Sequence, residues 1–329
     1  MSFKKLIVFF LVLCTMATML PACTLGTPAE TTPATKDPLD NPRHPANDDQ
    51  LNLLFIGNSY SYYWPDELWG LLDAAGYENV TVCNVYYSGC TFQQHWEWYE
   101  KGEANYRFCV NDNSGNNEYS GYDLHTCLYF RNWDVISFQQ SGKYIYGKRE
   151  DPMTDFRESM EPYLGNLYEL AHKAFPYATY YWLQSWAHEL GNGVHSLEQQ
   201  ANVTNMHRTV GLEVCEKYGF INVPCGDAWE LVRHDPIIKA DGKTLTTRIK
   251  NDDPMYDDLT HDGDHGGGQY LNACVWFEVL TQKSVIGNTF RPSYVLYDTE
   301  YPLSEEKIEL LQNAAHTAVA NFYGEDYAK

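Results

Sequence analysis

The chain predicts an α/β fold, a three-layer α/β/α sandwich on a mainly parallel sheet, from three observations. From residue 51 onward, short apolar runs alternate with longer helical ones, the order that builds a parallel sheet covered on both faces. The first run, LNLLFIG, is almost continuously apolar, as a strand buried on both faces must be. Polar clusters follow three of the strand-like runs, and in such sheets active sites lie beyond the carboxyl ends of the strands.

Taken in order, LNLLFIG (51–57) is the first strand. PDELWGLLDAAG (65–76) is a helix: Pro65 stands near its start, Leu68, Leu71 and Leu72 share a face, and Gly76 stops it. NVTVCNVYY (79–87) is the second strand, and residues 101–127, rich in Asn, Gly and Tyr, read as an irregular insertion. WDVISFQQ (133–140) is the third strand, DFRESMEPYLGNLYELAHKAF (155–175) a helix, and ATYYWLQSW (178–186) the fourth strand. Residues 196–218 form a long helix and FINVP (220–224) a short fifth strand. GGGQYLNACVWFEVLTQ (266–282) is a helix behind a glycine run. SEEKIELLQNAAHTAVANFY (304–323) is a final amphipathic helix with Ile308, Leu311, Ala315, Val319 and Phe322 on one stripe.

The chain ahead of this domain reads differently. MSFKK is basic, LIVFFLVLCTMATML is apolar but short for a spanning helix, and Leu20-Pro21-Ala22-Cys23 follows. Residues 1–22 are thus an export signal. LPAC resembles a bacterial lipobox, which would make Cys23 the lipidated first residue of the mature protein; ordinary signal cleavage nearby is the alternative. Residues 23–50, rich in Thr, Pro and Asp, make a disordered tether, and 51–329 is the folded domain. The expected location is the extracytoplasmic side of a membrane, held by the lipid.

Composition narrows the partners. Of 329 residues, 26 are Tyr; these fill cores but also line sugar-binding grooves, having an apolar face and a polar tip. The net charge of −21 repels a phosphate backbone, so nucleic acid is excluded as a partner. Beyond Cys14 and Cys23, the cysteines are Cys83, Cys90, Cys109, Cys127, Cys215, Cys225 and Cys274, an odd number, so at least one thiol stays free. Cys109 and Cys127 bracket a polar loop and are the first candidate pair. No CxxC is present, which argues against a structural zinc site.

The first strand stops at Gly57-Asn58-Ser59. Ser59 is either a turn residue capping the next helix or a nucleophile, and a nucleophile needs a base. Asp262-Gly263-Asp264-His265 supplies one arrangement: Asp262, three residues ahead, accepts from Nδ1–H of His265 and turns Nε2 toward a hydroxyl. A metal reading competes there, with His261, Asp262, Asp264 and His265 as ligands, although four ligands in five residues rarely close on one ion. Gly89, after the second strand, can turn an N–H toward an oxyanion with no Cβ in the way. Gln139 and Gln140, after the third, carry amide donors. His95, Trp96 and Trp186 lie near strand ends and are either a substrate-binding rim or packing; His188 reads as a surface histidine.

These blocks, in this order, resemble the SGNH, or GDSL-type, hydrolase superfamily, which has a flavodoxin-like sheet. More closely, the chain is similar to a bacterial branch of it described mainly as a domain of unknown function. The resemblance rests on GNSYS, SGCTFQQHW, SFQQSG, LQSWAHE and LTHDGDH, and spans about residues 51–285. It implies Ser59 as nucleophile, His265 as general base and Asp262 as its orienter. The oxyanion hole would be the Ser59 and Gly89 N–H groups and a side-chain amide. Many members draw that amide from a Gly-x-Asn-Asp block, which is absent here; Gln139, or alternatively Gln140, would replace it.

The expected activity is cofactor-free hydrolysis of an ester on an extracytoplasmic substrate, an O-acylated (acetylated) carbohydrate above all. An acyltransferase of the same fold, a glycan-binding lipoprotein without turnover and a metal-dependent hydrolase are the competing readings.

Overall fold

The computed structural model describes residues 50–188, 193–233, 235, 237–238, 267–296 and 299–329. The export signal, the tether, Cys23, Asp262 and His265 lie outside the described residues.

The apolar runs become the strands β1 (Leu51–Gly57), β2 (Val80–Tyr86), β5 (Val135–Phe138), β6 (Thr179–Leu183) and β7 (Ile221–Val223). Two further strands, β3 (Tyr106–Asp112) and β4 (Gly115–Tyr122), complete a seven-stranded sheet in the order β4-β3-β2-β1-β5-β6-β7. The pairs from β2 to β7 are parallel, and β3 and β4 add antiparallel at the β2 edge. A separate two-stranded ribbon joins β8 (Ser293–Leu296) to β9 (Thr299–Pro302).

Strand alternation splits the core in two. Leu51, Leu53 and Phe55 pack with α1 (Pro65–Ala74), α7 (Cys225–Val232), α8 (Gly268–Thr281) and α9 (Glu305–Tyr323). Leu54 and Ile56 pack on the other face. Their partners there are α2 (Phe92–Lys101), α3 (Leu124–Leu128), α4 (Pro152–Glu158), α5 (Tyr163–Ala174) and α6 (Leu197–Tyr218). This is the three-layer α/β/α sandwich. Helix α8 is buried at every residue, which suits its mostly apolar sequence; Gln269, Asn272, Glu278 and Thr281 are buried with it. Among the described residues, no helix is long and apolar enough to cross a membrane.

Three local expectations are corrected. Residues 101–127 are not irregular: they hold the end of α2, the β3–β4 hairpin and α3. The hairpin turns at Asp112, whose carboxylate accepts from Ser114 N–H (2.9 Å). The helix expected over 155–175 is two, α4 and α5, parted at Pro162, which has no N–H to continue a ladder. Cys109 and Cys127 form no disulfide; all seven cysteines of the domain are free thiols. Strand alternation explains why: Phe108 and Val110 face the core that holds Cys127, so Cys109 faces the other way, where its thiol meets Glu118 (3.7 Å).

Candidate active site

The sheet's strand order reverses beside β1. From β1 the chain crosses to β2 on one side and later to β5 on the other. The crevice above such a switch point is where open α/β sheets place their ligands. Gly57 ends β1, in register with Tyr86 at the end of β2, while Ile56 pairs with Phe138 at the end of β5. Ser59, Gly89 and Gln139 all follow these strand ends, so the structure brings those three expected residues to one edge.

The turn carrying Ser59 is held by its neighbours. Gly57 has no room for a side chain: a Cβ there would lie 2.6 Å from both Gln139 Oε1 and Ser61 Oγ. Asn58, fully buried, does the binding. Its N–H donates to Gln139 Oε1 (3.2 Å), and its Oδ1 accepts from Tyr60 N–H (3.2 Å), capping the 3-10 turn Ser59–Ser61. Its Nδ2 donates to Cys90 O (2.9 Å), lacing this turn to the loop that carries Gly89. Ser61 does not cap α1: it is buried, and its hydroxyl donates back to Asn58 O (3.2 Å). Buried Asn84 donates to Ser61 O (2.7 Å) from below.

What this leaves unbonded is informative. Among the described residues neither the Ser59 hydroxyl nor its N–H has a hydrogen-bond partner, and Ser59 is half-buried. Gly89 N–H is likewise unpartnered there, and its φ of +64° is one a glycine adopts without strain. Gly89 is exposed and Ser59 half-buried, so both N–H groups at this strand edge are open to a ligand, an arrangement that suits a developing anion.

The glutamines differ. Gln140 is spent: Oε1 accepts from Phe92 N–H (3.1 Å) and Ser141 N–H (2.9 Å), and Nε2 donates to Ser159 O (2.9 Å) and Oγ (3.1 Å). Gln139 Nε2 gives one hydrogen to Gln140 O, which leaves the second to give.

His95 is no rim residue but part of the turn's support. Fully buried, its Nε2 bonds Gly57 O (3.2 Å) and its Nδ1 bonds Tyr106 OH (2.8 Å). A carbonyl only accepts, so Nε2 carries the hydrogen and Nδ1 takes the phenol's. Burial pushes its pKa down to about 4, so it stays neutral. Asn58 and His95 could have been suspected from sequence only as a cap-type residue at a strand end and a histidine in an aromatic helix.

The two tryptophans separate. Trp186 is 1% exposed, stacked on Trp229 at 4.5 Å and edge-on to Tyr60 at 5.0 Å, so it packs and presents no rim face here. Trp96 is half-buried on α2 against Tyr99. His188 is no isolated surface group: it stacks on Tyr146 at 4.0 Å and lies 5.8 Å from the ring of Tyr60. Asp262 and His265 lie outside the described residues. Among the described residues no group of His, Cys, Asp and Glu could hold a metal ion.

A family model described as a domain of unknown function, DUF4886, matches residues 52–318. The chain belongs to the DUF4886 family. A crystal structure of a DUF4886 protein from Bacteroides uniformis has a TM-score of 0.64 at 23% identity, covering 85% of this chain and 98% of that one. That likeness shows a shared fold across the DUF4886 domain. More distant is Axe2, an acetylxylan esterase from Geobacillus stearothermophilus, with a TM-score of 0.42, 14% identity and coverage of 70% and 94%. LAE5, an alpha/beta hydrolase enzyme from the metagenome of Lake Arreo, stands at a TM-score of 0.43, 14% identity and the same coverage. No curated protein matches this DUF4886 chain.

Proposed function

We propose that this protein is an exported serine esterase of SGNH type that removes an O-acyl group, acetyl above all, from a carbohydrate outside the cytoplasm. The observation that carries this reading is the turn at Gly57–Ser61. It presents the Ser59 hydroxyl and N–H unbonded among the described residues, beside the unbonded Gly89 N–H, at the switch point of the sheet. Ser59 Oγ attacks the acyl carbon while His265 takes its proton, oriented by Asp262. The carbonyl oxygen becomes an anion held by the Ser59 and Gly89 N–H groups and the Gln139 amide. Collapse expels the sugar hydroxyl, which takes the proton from His265. Water, deprotonated by His265, then frees the acid and restores Ser59.

Hydrolysis of a small acetyl ester by wild type and by Ser59→Ala tests this. The variant is expected to lose at least about 10³-fold in kcat; equal rates would remove Ser59 from the reaction. The lipid on Cys23 is tested by fractionation: Cys23→Ser is expected to move the protein from membrane to soluble fraction, and unchanged membrane retention would refute it.

A further inference from the structure

Beside the Ser59 turn, on the α1 side of the β3–β4 hairpin, Arg107 and Glu118 are exposed, whereas Cys109 and Asn111 further along β3 are buried. Tyr86 ends β2 in register with Gly57, two residues ahead of Ser59. Tyr62 N–H donates to Ser59 O (3.3 Å). The Tyr62 and Tyr86 rings stack at 4.0 Å and 23°, and Tyr63 meets Tyr62 edge-on at 4.9 Å. All three are half-buried, whereas the adjacent Tyr60 is buried. Next to them Arg107 Nε pairs with Glu118 Oε1 (3.1 Å), with side chains 46% and 40% exposed. The Tyr62 hydroxyl donates to Glu118 Oε2 (3.0 Å) and accepts from an Arg107 amino group (3.0 Å). Arg107 lies 5.8 Å and 5.7 Å from the centroids of the two stacked rings.

An ion pair this exposed adds little stability. Locked against a tyrosine pair one residue from the nucleophile turn, it offers fixed donors and acceptors beside an aromatic surface. The two charges cancel, and the molecule carries −21, so a polyanion is disfavoured. A neutral ring with an apolar C–H face and several hydroxyls fits: hydroxyls donate to Glu118 and accept from Arg107, while the ring lies against tyrosine. Resting on the esterase reading above, we propose that Tyr62, Tyr86, Arg107 and Glu118 form the subsite for the neutral sugar ring that carries the ester.

The test compares kcat/KM for an O-acetylated cello-oligosaccharide with that for 4-nitrophenyl acetate in wild type, Tyr86→Ala and Glu118→Gln. Glu118 is exposed, so its substitution spares the fold if Tyr86→Ala does not. Each variant is expected to lose about 10-fold or more on the oligosaccharide, mostly through KM, and to stay within about twofold on the aryl ester. Equal losses on both substrates, or none on either, overturn the subsite, as does a wild type that cleaves the aryl ester but no acetylated sugar. Failure of the esterase reading shows separately, as turnover retained by Ser59→Ala. The subsite is then read by calorimetric binding of the deacetylated oligosaccharide, which Tyr86→Ala is expected to abolish; unchanged binding also overturns it.

Discussion

Gly57 and His95 set the limits of the turn that offers Ser59. Gly57→Ala drives a methyl group to 2.6 Å from Gln139 Oε1 and Ser61 Oγ, both on buried, bonded groups that cannot swing aside. Overpacking of this kind costs about 1–3 kcal/mol, so a lower denaturation midpoint and reduced kcat are expected together. His95 has the opposite exposure to pH. Its folded pKa, lowered to about 4, lies below the 6.5 of the unfolded chain. Between those values the unfolded state binds the proton, so stability rises with pH and is lost as pH falls through 6.5 toward 4. The loss amounts to about 3 kcal/mol at pH 4 and below. Urea titrations across that range check it; His95→Gln, which keeps donor and acceptor capacity but cannot charge, is expected to flatten the slope.

Helix α1 carries a titration of the other sign. Glu67 in its first turn is buried, with Oε2 unpartnered among the described residues, and burial, with Asp66 alongside, raises its pKa to about 8. A carboxyl raised above its unfolded value of 4.5 favours folding only while protonated. Stability from this group therefore falls as pH rises from 4.5 to 8 and stays low above that. Glu67→Gln is expected to raise the thermal midpoint most at pH 8 and least at pH 4.5; a uniform shift would contradict the assignment. Legibility also varied by element. β1 was readable to the residue because both its faces are buried. β4, exposed on both faces at the sheet edge, has no apolar alternation to read. Helix α2 buries only Phe92 and His95, too few for a stripe, so its signals are at its ends: the Thr91 cap, and Lys101 and Gly102 at the stop.

At the scale of the molecule, the parallel order and the carboxyl-edge position of Ser59, Gly89 and Gln139 followed from alternation and strand ends. What sequence could not supply were long-range ties: Asn58 to Cys90, His95 to Gly57, and the hairpin's Arg107 and Glu118 brought to Tyr62. These depend on which strands become neighbours, which no local pattern encodes. The proposed reaction uses His265 as the base although another imidazole, His188, stacks near Tyr60. His265→Ala is expected to lower kcat about 10⁴-fold and His188→Ala less than about tenfold; the reverse ranking would move the base to His188. Most direct of all is covalent capture. Incubated with an organophosphonate ester probe and mapped by peptide mass spectrometry, the protein should carry one adduct, on Ser59, with His265→Ala labelling far more slowly. An active, hydrolysing protein labelled at another residue, or not labelled at all, would contradict it.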